Sequence, residues 1–318
     1  MIRKSLLAAA AVSFATAGLA ADLPAKKAPA PVAAAPMFFV NDNTVSYSYQ
    51  FNATDPGWKG NFGKNVVTFT HFDVWAMGTN FFTVDLLKSP GADPSSPCHG
   101  GNYGCAGATE VYGLFRSTLG FNQLFGTKAF SMGPLNNVSF EVGADANSEN
   151  NYLAPAKKSF VAGLQFSFDL PYKGFFNVSP LYFKEWNHNA NYTGPNNDGS
   201  TEFNGTWAVE TVYSLPLAFL PDALPLTFSG RAAFYGPKGK GNVSESVKTA
   251  TEFNSEQRLT LDIGKMAFGR AGVVNTFVAY RYWTNKFGLS ESNSPVCKTF
   301  GPGSCKENAA SLGLSVKF

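Results

Sequence analysis

From Asn43 onward the chain repeats one pattern: short runs in which apolar and polar side chains alternate, separated by segments rich in Gly, Asn, Pro and Ser. A period of two is the signature of a strand with two different faces. In Asn43 to Phe51, Val45, Tyr47, Tyr49 and Phe51 share one face, with Thr44, Ser46, Ser48 and Gln50 on the other. Val66 to Leu87 reads as a hairpin broken at Ala76-Met77-Gly78-Thr79. One face is expected to carry Thr68, Thr70, Phe72 and Val74 with Phe82, Val84 and Leu86. The other is expected to carry Phe69, His71, Asp73 and Trp75 with Phe81, Thr83 and Asp85.

The same alternation continues to Phe318 and gives about twelve strands. Charges fix the inward face where they occur. Arg116 places Glu110, Tyr112, Leu114 and Thr118 with it, and Glu141 places Ser139, Gly143 and Asp145. Arg231, Arg258, Phe277 and Arg281 fall on the inward parity of the later strands. Odd connections are long and polar while even ones are mostly short, with Gly120 to Leu135 the longest of the short class. Long outer loops alternating with tight inner turns, around an even number of strands, predict an antiparallel up-and-down transmembrane β-barrel of the outer membrane rather than a soluble sandwich. A soluble sandwich accounts for any single hairpin but not for this alternation of loop lengths.

The remaining features adjust this picture. Arg3 and Lys4, the apolar run Leu6 to Ala17 and Gly18-Leu19-Ala20 make residues 1–20 a secretory signal peptide. Residues 21–37 form a Pro/Ala-rich periplasmic linker without periodicity, and the barrel is expected over 38–318. The formal charge of +3 comes from the first 37 residues, so the body is neutral. That argues against nucleic-acid binding through phosphate neutralisation and against a bulk preference for one ion sign. In an exported chain, Cys98 with Cys105 and Cys297 with Cys305 are expected as disulfides in outer loops. No common zinc spacing is present, although His99 adjoins Cys98.

The closing LGLSVKF, with terminal Phe318, looks like the last strand of bacterial outer-membrane proteins. His71-Phe72-Asp73-Val74-Trp75, Asn80-Phe81-Phe82-Thr83-Val84-Asp85 and Phe140-Glu141-Val142-Gly143 resemble the nucleoside-specific channel-forming porins of the Tsx type. The resemblance implies a monomeric, narrow, twelve-stranded barrel that passes nucleosides or solutes of that size passively. The Pro/Ala tether and the cysteine pairs depart from that family.

Twelve strands tilted near 40° enclose a backbone cylinder of roughly 24 Å, which side chains narrow to a slot. A nucleoside presents a flat base to stack and hydroxyls to hydrogen-bond. The pore-lining candidates are Phe69, Phe81 and Phe277 for stacking, with His71, Asp73, Asp85, Glu141, Arg116, Arg231 and Arg281 as polar partners. Their bland alternative is cross-lumen bracing of the wall. No catalytic residue, metal or cofactor is assigned. The other functions weighed are a surface adhesin or structural barrel and an outer-membrane lipid hydrolase, which needs a serine beside a base.

Overall fold

The computed structural model describes residues 37–97, 107–151, 154–189, 200–241 and 247–318. The expected signal peptide and most of the linker lie outside these residues, as do Cys98, His99 and Cys105.

The strands, in chain order, are β1 (Phe38–Ala53), β2 (Phe62–Trp75), β3 (Gly78–Lys88), β4 (Thr109–Gly120), β5 (Leu135–Glu149), β6 (Lys158–Leu170), β7 (Gly174–His188), the three-residue β8 (Ser200–Glu202), β9 (Thr206–Pro216), β10 (Leu226–Tyr235), β11 (Glu252–Asp262), β12 (Val274–Thr284) and β13 (Lys306–Lys317). Each long strand pairs antiparallel with its neighbours in sequence, and β7 reaches β9 directly while β8 lies against the outer end of β7. The sheet closes through β1 and β13, with Val45 opposite Val316 and Tyr49 opposite Leu312. Twelve strands therefore form a ring without an edge, which pairs the backbone groups that a bilayer could not solvate.

The alternation sorts the two faces as a membrane requires. Tyr47, Tyr49 and Phe51 on β1, and Leu312, Leu314 and Val316 on β13, are exposed on the outside, whereas Ser46, Gln50 and Ser315 are buried inside. Trp186 and Trp207 are exposed outward near the outer strand ends, where an indole spans apolar and polar surroundings. No helix among the described residues is long and apolar enough to cross a membrane, and two short ones, α1 (Phe121–Leu124) and α2 (Ile263–Phe268), sit in inner connections. The chain is a multi-pass outer-membrane β-barrel that crosses with strands.

One hairpin differs from the sequence expectation. Trp75 lies opposite Gly78, so only Ala76 and Met77 form the β2–β3 loop. A two-residue loop pairs odd positions with even ones, and loop length sets the register. Phe72 therefore faces Phe81, and Thr70 faces Thr83, on the inner side. Phe69 opposite Val84, His71 opposite Phe82 and Asp73 opposite Asn80 are on the outer wall. Grouping even positions with even ones had inverted β2 while leaving β3 correct.

Candidate functional site

The lumen is divided by a transverse clamp. Arg116 on β4 sends Nε and Nη2 across the barrel to Glu210 of β9, at 2.9 and 2.7 Å, and Nη1 along its own wall to Asp145 of β5 at 2.6 Å. Tyr235 donates its hydroxyl to Glu210 at 3.0 Å and Ser159 its hydroxyl to Asp145 at 3.3 Å, so both carboxylates are held from more than one side. Gly143, opposite Arg116, permits this. A Cβ there would lie 2.5 Å from Arg116 Cδ and 2.5 Å from the Phe115 carbonyl oxygen, forcing the guanidinium off the wall.

Above the clamp is a compartment of about 130 Å³. That is space for a few waters. Its lining holds seven carboxyl groups against five cations. Three of the cations are braced by carboxylates: Lys64 by Glu110 at 3.2 Å, Arg281 by Glu307 at 3.4 Å, and Lys286 by Glu307 at 2.9 Å. Lys286 also donates to the Thr54 carbonyl and lies 3.8 Å from Asp55. Asp55, in the loop after β1, has a buried Oδ2 without a hydrogen-bond partner. Burial pushes its carboxyl up to about 7, against the pull of Lys64 and Lys286.

The outer loops fold over this compartment. Lys238, from the β10–β11 loop, meets Glu185 of β7 at 2.6 Å with both side chains 1% exposed, and its Nζ lies 4.7 Å from the centre of the Phe203 ring. Phe203, Phe287 and Leu289 form a small apolar core with the Cys297–Cys305 disulfide. The second expected cysteine pair is thus present.

Below the clamp is a chamber of about 680 Å³, with Phe72, Phe81, Leu114, Phe175 and Val212 among its wall residues. Glu141 faces it but is tied down, accepting from Ser179 Oγ at 2.5 Å and Gln165 Nε2 at 3.1 Å.

The sequence candidates separate into three groups. Asp85 and Arg281 line the upper compartment, Phe81, Arg116 and Glu141 the lower one, and Arg231 lines both. Phe277 points inward but is 3% exposed, beneath the Arg258 guanidinium at 4.1 Å and over Gly313. Phe69, His71 and Asp73 face outward. His71 joins Asn43 at 2.8 Å through Nδ1 and Asp73 at 3.1 Å through Nε2, while Asn80 donates to Asp73 at 2.9 Å. Both ring nitrogens are thereby engaged, so His71 has no free nitrogen to activate a serine. Among the described residues, the nearest approach to a serine–base pair is His188 Nδ1 with Ser200 Oγ, 3.3 Å apart on the outer rim. Sequence reasoning missed Glu210, Tyr235 and Lys238. Glu210 sits on the inner parity of β9 and was legible by alternation, whereas Lys238 lies in a loop without periodicity.

No family profile matches the chain, and no curated protein matches its sequence. Similar solved structures include the KdgM porin, with 8% identity over 86% of this chain and 99% of that one at a TM-score of 0.41. The translocator domain of the autotransporter NalP from Neisseria meningitidis has 11% identity over 87% of this chain and 88% of that one, at 0.37. OccK11 of Pseudomonas aeruginosa has 7% identity over 87% and 95%, also at 0.37. Likeness this distant carries no solute with it.

Proposed function

We propose that this protein is a passive outer-membrane channel for small polar solutes, nucleosides or molecules of similar size. The observation that supports this most is the arrangement of two lumen compartments meeting at Arg231, the lower one roomy and walled by rings that include Phe81. A base can stack on Phe81 while its sugar meets the polar groups of the clamp, and such contacts stay weak enough for release. In this reading residues 1–20 direct export, residues 21–37 form a periplasmic tether, and the barrel works as a monomer. The resemblance of β2, β3 and β5 to Tsx-type porins points the same way, with Phe81 and Glu141 on the wall and His71 and Asp73 outside it.

Single-channel recording of the refolded chain tests the proposal. Nucleosides are expected to interrupt the current briefly, and Phe81→Ala to weaken that block several-fold while Phe82→Ala, on the lipid side, leaves it unchanged. Equal effects would remove Phe81 from the solute path, and a protein that never conducts would remove the channel.

A further inference from the structure

Arg231 is unlike the other inward arginines. Arg116 is clamped by Glu210 and Asp145, Arg258 lies on Glu256 at 3.0 Å and over Phe277, and Arg281 is paired with Glu307. Arg231 has neither a hydrogen bond nor an ion pair within 4 Å among the described residues. Glu256 is its direct neighbour on β11, yet Glu256 is engaged by Arg258. Glu210, one register step away on β9 opposite Ala233, is engaged by Arg116 and Tyr235. The carboxylates around it thus have other donors, and its five N–H groups remain available at the junction of the two compartments.

Arg231 is half-buried in the lumen, and the planar fork of donors it presents there matches the two oxygens of a carboxylate or a phosphate. On the wall of the space beneath it Phe72, Phe81, Phe175 and Val212 stand among polar side chains and give an apolar body a surface to lie on. Glu210 and Glu141 beside the same chamber oppose a second negative charge. We infer that Arg231 is a binding site for the carboxylate of a small organic monoanion whose apolar body occupies the lower chamber. This rests on the channel reading and narrows its solute class, because Arg231 is a cation without an ionic partner among the described residues where the two compartments meet.

Phenylacetate and its neutral amide, phenylacetamide, separate the charge from the ring. In bilayer recordings of the full chain, phenylacetate is expected to produce brief concentration-dependent block at least tenfold more effectively than phenylacetamide. Arg231→Gln is expected to abolish that difference, whereas Arg270→Gln, altering an exposed arginine of the β11–β12 connection that lines neither compartment, keeps it within twofold. Equal block by acid and amide in the unaltered chain overturns the site. So does an Arg231→Gln channel that becomes more cation-selective while phenylacetate still blocks, since Arg231 would then be a general counter-charge. If the chain does not conduct, the channel reading fails separately, and calorimetric titration of detergent-solubilised protein with phenylacetate decides the site. Heat lost in Arg231→Gln upholds it, and no heat in the unaltered chain overturns it. Thermal unfolding within a few degrees of the unaltered chain verifies that Arg231→Gln is folded.

Discussion

The two halves of the lumen are built on the same strands and solve opposite problems. Above the Arg116 clamp the barrel is filled with ionised groups and covered by loops, so its cations are largely committed to carboxylates. Below it aromatic and aliphatic side chains are interspersed with uncharged polar ones, the volume is about five times larger, and Glu141, which faces it, is held by Ser179 and Gln165 of neighbouring strands. The difference teaches that a charge in a barrel lumen is informative only after its partners are counted. Lys64, Arg281 and Lys286 brace the upper half, whereas Arg231 stands at the boundary with nothing to brace.

The comparison is broken most severely at the lid. Lys238→Met leaves Glu185 buried and unpaired, and removal of one member of such a pair costs about 3–5 kcal/mol. Denaturant unfolding is expected to show that loss, while Lys238→Met with Glu185→Leu recovers much of it. Lower-chamber block is expected to survive the double change, and its disappearance would mean that the halves are one unit. Next in size is the Cys297–Cys305 disulfide, whose replacement by serines is expected to lower stability by about 2–3 kcal/mol through the freed loop. A lower half that also loosens, seen as faster proteolysis at the inner turns, would contradict the division.

The smallest effect sharpens the charge difference. Because the Asp55 carboxyl is raised to about 7, the folded chain holds a proton there that the unfolded chain gives up near pH 4. Its contribution to stability is therefore full at low pH and is lost as pH rises between those values. Over pH 6 to 8 the upper compartment gains negative charge, and the cation-to-anion permeability ratio is expected to rise by less than twofold. Asp55→Asn reduces that response, and a slope unchanged in the variant assigns it to another group.

Alternation made the barrel legible because every strand repeats the same two-faced pattern, and Arg116, Glu141, Asp145 and Arg231 could be placed inward by parity alone. It failed at β2, where His71 and Asp73 look luminal as ionisable residues but form a satisfied polar cluster with Asn43 and Asn80 on the outer wall. Only the two-residue Ala76-Met77 loop decides that face. The clamp was hidden for another reason: Arg116 and Glu210 meet across the cylinder, and no local spacing records a contact between strands that are not neighbours.

The seam between β1 and β13 also governs how the chain comes to exist. Its first and last strands are the ones that must meet, so the slowest class of contact, between the far ends of the sequence, is the one that finishes the ring. Until Lys306 to Lys317 arrives, β1 and β12 both present unpaired backbone to any passing strand. A chain cut short before the last strand is consequently an open sheet with two adhesive borders, destined for aggregates rather than for a bilayer, and the closing strand is what makes the rest of the molecule safe to synthesise.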